Sequence, residues 1–226
     1  MRSRPHLYDP LLLALRTYWP VILLIQGIAL GAVLAYYHVE AAAGFFATLA
    51  DWKARGGLPV SALANVVSAG VLPELLKRIF RPSTIKPPGL GELMHQFVMW
   101  ATLGAGVDLF YRLQGHLFGH GTDAGTLLIK VVFDQLVFTP LLGMPFIAGW
   151  FKLREVGYSP RAWLSAMANR NLVRHGVQLW ISCLAFWPVM LLIIYSLPQT
   201  LQFSLFLFGN AAYSILLIFV ARHGAK

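Results

Sequence analysis

Residues 126–151 read TLLIKVVFDQLVFTPLLGMPFIAGWF, a 26-residue apolar run interrupted by Lys130, Asp134, Gln135, Pro140 and Pro145. A bilayer core of about 30 Å needs about 20 apolar residues in helical form, so this run is long enough to cross one. An acid or base at the centre of such a helix costs about 2.5–3.5 kcal/mol on insertion scales, so it is normally paired, placed in a water-filled cavity or functional. The stretch therefore predicts a membrane helix that carries the chain's most informative polar groups.

The composition points the same way. Of 226 residues, 58% are hydrophobic and 12% charged, with a mean hydropathy of +0.64, whereas soluble domains carry about 25% charge. The formal charge of +9 comes from 18 Lys+Arg against 9 Asp+Glu. A nucleic-acid binder shares such an excess, but here the basic residues flank apolar runs, as a topology signal does. The single cysteine, Cys183, excludes an intrachain disulfide. His116 and His120 are four residues apart in a Gly-rich segment and do not make a zinc pattern. No metal, cofactor or nucleic-acid partner is expected.

Six segments reach membrane length: 19–37, 58–76, 93–113, 126–151, 177–197 and 201–221. The expected fold is all-α, a polytopic transmembrane bundle of six spans forming one domain over residues 1–226. The junction Ser196-Leu197-Pro198-Gln199 predicts a tight hairpin bent at Pro198. Basic residues test the orientation, because the cytoplasmic side holds the excess. One side collects Arg2, Arg4, Lys77, Arg78, Arg81, Lys86, Lys152, Arg154, Arg161, Arg170, Arg174, Arg222 and Lys226. The other collects Lys53, Arg55 and Arg112, so thirteen face three and both termini are expected inside. A cleaved secretory signal is the alternative for the first segment, but its 19 apolar residues exceed the usual 7 to 15. Gly27 and Gly31 within it form a GxxxG pair, which permits close contact with another helix, in this chain or in a second copy.

At 1.5 Å per residue, Lys130 lies roughly 6 Å and Asp134 roughly 12 Å below the poorly charged surface, Asp108 roughly 8 Å, Asn65 roughly 10 Å and Asn210 roughly 13 Å. These depths predict a polar layer in one half of the membrane, built on a network of Asp108, Lys130 and Asp134 with Gln135 and Asn210 as neighbours. Lys130 and Asp134 are i,i+4, as are Asp108 and Arg112, and Asp108 is also within reach of Lys130 across the hairpin. Two uses fit: a vestibule open on the poorly charged side and narrowed toward the cytoplasm, or polar pairs that only hold helices together. Pro140 and Pro145 predict a kink below Asp134.

The stretch KVVFDQLVFTP, with Lys130, Asp134, Gln135, Phe138 and Pro140, resembles the K-x-x-x-D-Q-x-x-x-x-P signature of the Mpv-seventeen and twenty-two-kilodalton peroxisomal membrane protein family. Upstream, GAGVDLFYRL is similar to that family's G-P-x-x-H-x-W-Y-x-x-L, with Gly104 and Tyr111 on matching positions, Asp108 where histidine stands and Leu113 one position before the motif's leucine. Downstream, Trp187-Pro188 resembles the W-P that opens the next helix, and Asn210 and Ser214 fit W-N-x-x-L-S. The resemblance covers a five-helix core at about 58–221 and leaves span 19–37 as an addition. It implies a multi-pass protein with a channel-like role and no established enzyme activity or cofactor.

The function expected is a channel or small-solute pore, with a noncatalytic scaffold as the alternative. An enzyme is not expected, because no nucleophile–base pair or metal spacing accompanies the two acids. The basic segment 152–174, with Trp163, suits anionic lipid headgroups. The short basic N-terminus lacks the long amphipathic pattern of a mitochondrial transit peptide. A bacterial inner membrane is thus the expected location, with an organellar membrane as the alternative.

Overall fold

The computed structural model describes residues 9–80 and 88–223. Arg2, Arg4, Arg81, Lys86 and Lys226 of the charge count lie outside them, and so do the side chains of Arg170 and Arg222. All regular structure among the described residues is helical, as expected. The helices are α1 (Asp9–His38), α2 (Glu40–Asn65), α3 (Leu72–Phe80), α4 (Leu90–Phe118), α5 (Ala124–Phe133), α6 (Met144–Glu155), α7 (Pro160–Met167), α8 (Arg170–Cys183), α9 (Trp187–Tyr195) and α10 (Gln199–His223). Two π-helical stretches, Val66–Val71 and Asp134–Gly143, carry the helical path from α2 into α3 and from α5 into α6.

Among the described residues, three helical stretches are long and apolar enough to cross a membrane: Tyr18–His38, Glu40–Ile79 and Ala124–Glu155. The second corrects the sequence reading, which left residues 38–57 as a connection. That segment is helical almost throughout, because EAAAGFFATLADWKA is rich in alanine and helix-tolerant side chains. The break comes only at Gly57 (φ 56, ψ −142), a left-handed conformation that glycine adopts without steric cost. Lys53 therefore sits on a helix that folds back over the bundle.

Burial is inverted relative to a water-soluble domain. Leu24, Leu63 and Leu141 are more than 60% exposed, while Gln26, Ser61, Asn65, Asp108, Gln114, Lys130, Asp134 and Gln135 are buried. An apolar surface of this extent suits a hydrocarbon surrounding, where polar side chains must find partners inside. The centre of the bundle is α9, whose Met190, Leu191, Ile194 and Tyr195 are almost wholly enclosed. A helix apolar on all faces takes such a central place.

Side chains from α1 hold both ends of α9. Gln26 Nε2 donates to the Phe186 carbonyl at 3.0 Å, and Tyr37 Oη donates to the Ser196 carbonyl at 2.7 Å. The Ser196 carbonyl lies at the C-terminus of α9, where no intrahelical amide is available, and the Phe186 carbonyl, at the N-cap, accepts Gln26 beside a long bond of 3.4 Å from the Met190 amide. The first span, read from the sequence as an addition to a five-helix core, is thus tied into that core. The bend at Pro198 is present as expected, and Gln202 Nε2 caps it by donating to the Leu197 carbonyl at 3.0 Å.

Gly104 sets how closely α2 and α4 approach. A Cβ there would lie 2.4 Å from Asn65 Cβ and 2.9 Å from the Ser61 carbonyl oxygen. Gly27 and Gly31 have nothing within 4 Å of their Cβ positions, so the GxxxG pair marks no helix contact within this chain. Gly104→Ala is expected to destabilise the protein by about 1–3 kcal/mol through overpacking. Gly27→Ala is expected to leave thermal unfolding in detergent unchanged or slightly raised.

Asp123 caps α5, its carboxylate accepting the Thr126 hydroxyl at 2.6 Å and the Thr126 amide at 3.0 Å. These bonds hold the Asp123 carboxyl below its ordinary range. A lowered folded-state value stabilises the cap above the unfolded value of about 4 and loses that stabilisation as pH falls through the folded one. Amide-exchange protection at Thr126 should therefore be higher at about pH 6 than at about pH 3, and Asp123→Ala should remove the difference.

Candidate functional site

The polar groups singled out from the sequence form two separate clusters. Asp108, fully enclosed, lies 2.6 Å from Lys53 Nζ and 2.9 Å from Arg112 Nη2. It also accepts the Ser61 hydroxyl at 3.0 Å. Lys53 is only 14% exposed, and its ammonium stands 4.9 Å from the centre of the Phe203 ring. A desolvated cation over an aromatic face gains about 2 kcal/mol. The cluster joins α2, α4 and α10 at the poorly charged end of the bundle. Asn65 extends it inward, donating to the Trp100 carbonyl and accepting from Asn210 Nδ2, both at 2.8 Å.

Asp134 makes the second cluster with different partners. Oδ2 accepts from Tyr195 Oη at 2.7 Å, and Oδ1 accepts from Gln135 Nε2 and Thr139 Oγ1, both at 3.1 Å. All three donors are neutral, and among the described residues no Lys or Arg pairs with Asp134. Lys130, one turn before it, is 3% exposed; its backbone carbonyl accepts from Gln114 Nε2 at 3.1 Å. The expected Asp108–Lys130–Asp134 network is therefore not formed. Lys53 takes the place at Asp108 that Lys130 was expected to hold, because helical residues 40–56 bring it there from what was read as a loop.

The kink expected from Pro140 and Pro145 takes the form of the π-helical stretch Asp134–Gly143, and Pro145 falls in the first turn of α6, directly after it. In a π register the amide of residue 140 would meet the carbonyl of residue 135, and proline has no amide to offer. The Trp180 indole donates to that Gln135 carbonyl instead, at 2.8 Å. Thr139 reaches Asp134 because five residues make about one turn of a π-helix.

A cavity of about 790 Å³, partly open to the surroundings, lies in the bundle beside this stretch. Asp134, Gln135, Thr139, Tyr111 and Asn210 line it, with Trp100, Phe186, Trp187, Phe206 and Tyr213 among its aromatic walls. Lys77 and Phe151, on the basic ends of α3 and α6, also line it, and the Lys77 side chain is 47% exposed. Lys53, Asp108 and Arg112 do not. The cavity thus extends from Asp134 toward the basic end, opposite to the vestibule expected from residue depths.

The remaining motif residues are aromatic packing. Tyr111 meets Tyr195 edge-on with ring centres 5.4 Å apart, and Phe138 stacks on Phe110 at 4.1 Å. Trp187 packs against Phe206 and Tyr213, and Pro188 lies in the first turn of α9. At the basic end, Glu92 pairs with Arg154 at 2.8 Å, and His95 Nε2 and Nδ1 bond the Trp150 carbonyl and Tyr158 Oη. Buried polar groups are therefore not confined to one half. Trp163, expected to face headgroups, donates its indole N–H inward to the Gly149 carbonyl at 2.7 Å.

Lys53, Ser61, Thr139, Trp180 and Tyr195 are the partners that sequence reading missed. Thr139 was signalled by its spacing from Asp134 and the following proline. The others come from distant segments and carry no local sign. The chain matches no known protein family, no curated protein and no solved structure.

A double-mutant cycle on Lys53→Met and Asp108→Asn, read from thermal unfolding in detergent, should give a coupling above about 1 kcal/mol, as expected for a close, poorly solvated ion pair. Lys130→Met combined with Asp108→Asn should be additive within about 0.5 kcal/mol.

Proposed function

We propose that the protein is an integral membrane protein of six spans, both termini on the basic side, that passes a small solute through the cavity beside Asp134. The observation that carries this reading is the juxtaposition of a cavity of about 790 Å³ and a buried acid on its wall, with the ion-paired Asp108 cluster set apart from its lining. A scaffold needs helices held together, and the Asp108 cluster alone serves that purpose; a cavity of about 790 Å³ forfeits packing that a scaffold would keep. The two clusters divide the work. Asp134 faces the solute, while Lys53, Asp108, Arg112 and Ser61 form the gate at the poorly charged end.

The Gly57 break gives the gate a hinge, since glycine accommodates large backbone changes and Lys53 lies four residues before it. The apolar outer surface supports a bilayer setting, and the K-x-x-x-D-Q-x-x-x-x-P resemblance to the Mpv-seventeen and peroxisomal membrane protein family supports the channel-like role. Its surroundings are the lipid bilayer, with residues 152–174 toward the headgroups and the Gly27/Gly31 face open to a second copy of the chain.

Reconstitution into planar bilayers in KCl, with efflux of entrapped choline, glutamate and glucose from liposomes as a second readout, tests the proposal. Wild-type protein is expected to give flux above protein-free membranes for at least one of these solutes. Asp134→Asn should lower that flux about tenfold, equivalent to about 1.4 kcal/mol, and Lys53→Met should raise the leak. Flux indistinguishable from protein-free membranes, or unchanged in both variants, overturns the reading in favour of a scaffold.

A further inference from the structure

The chemistry of the cavity selects its occupant. Two charged side chains line it among the described residues: Asp134, held by neutral donors, and Lys77, whose ammonium stands 3.6 Å from Glu74. The deep end therefore carries an acid without a basic partner, in surroundings where an uncompensated carboxylate costs several kcal/mol. Trp100, Phe186, Trp187 and Phe206 present aromatic surface to the same space, and such faces attract cations most strongly when both are desolvated. A volume of about 790 Å³ lies within the roughly 300–1,000 Å³ of sites that enclose drug-sized ligands. It far exceeds a bare metal ion, and a wall whose exposed area is mostly apolar does not replace the hydration of a sugar or an amino acid as well as it covers alkyl or aromatic groups.

We propose that the cavity binds a lipophilic organic monocation, a quaternary or protonated amine or a phosphonium with aromatic or alkyl substituents, with its charge toward Asp134 and its substituents against the aromatic walls. This rests on reading the cavity as a solute site and names the class of solute. Tyr195, Thr139 and Gln135 act as positioning residues: they fix the carboxylate orientation while leaving its charge for the ligand.

The test uses the full-length protein in lipid nanodiscs and radiolabelled tetraphenylphosphonium, with binding to empty nanodiscs subtracted. Radiolabelled tetraphenylborate, of the same shape and opposite charge, and decanoate, an anion with an acyl chain, are measured in separate samples. One saturable site for tetraphenylphosphonium is expected, with neither anion binding comparably, and weakened about tenfold or more by Asp134→Asn. Tetraphenylborate or decanoate binding as tightly as the cation overturns the proposal and assigns the cavity to an anion held at Lys77. Unchanged binding in Asp134→Asn, with elution and melting like wild type, overturns it as well.

Should Asp134→Asn fail to fold, the comparison of the two tetraphenyl ions on wild-type protein decides by itself. Saturable cation binding without any flux removes the conduit reading and keeps this one. Absent cation binding with the expected flux changes removes this one alone.

Discussion

The close approach of α2 and α4 at Gly104 is the constraint on which the rest of the bundle depends. Only a residue without a side chain lets Ser61 and Asn65 come against α4, and those two residues carry the polar contacts that follow. Ser61 bonds Asp108, Asn65 bonds both the Trp100 carbonyl and Asn210, and Asn210 brings α10 into register. With α2 held there, the helical segment before Gly57 is aimed so that Lys53 reaches Asp108 across Phe203. Moving α2 outward by a methyl group would loosen all of these at once.

The two buried acids show how surroundings assign different work to the same side chain. Asp108 has two cations and a hydroxyl, so its charge is balanced and it ties α2 to α4. Asp134 has three neutral donors and a cavity, so its charge is oriented without being balanced by a basic side chain. The first arrangement is cohesive, since removing either partner strands a buried charge. The second is receptive. The π-helical stretch contributes to it by setting Thr139 beneath Asp134 and by presenting a carbonyl that Trp180 satisfies, so the irregular backbone next to the cavity carries no unmet bond at that point.

Much of this was legible in the sequence for local reasons. Apolar runs of membrane length, the placement of Pro198, the i,i+4 pair of Asp108 and Arg112, and the importance of Asp134 all follow from spacing along one helix. Errors arose where spacing along one helix was extended to contacts between helices. Lys130 is close to Asp134 in sequence and pairs with neither acid, while Lys53, far from both and in an apparent loop, pairs with Asp108. The helical content of residues 40–56 was masked because their apolar stretch is interrupted by charge. Its alanine-rich composition was the signal available. The direction of the cavity also escaped, because residue depth records how far a group lies from a surface and not which face of its helix it occupies.

By itself the sequence determined that the chain is all-helical, that several helices match a hydrocarbon core, and that acids and amides sit within them. These properties depend on composition and on the periodicity of one chain segment, which act over a few residues. Tertiary structure alone decided that Asp108 is neutralised and Asp134 is not, that α1 secures both ends of α9, and that the cavity extends toward the basic end. Each of those depends on where side chains from distant segments converge. Coulomb and hydrogen-bond contacts act over a few ångströms, and only packing decides which residues come that close.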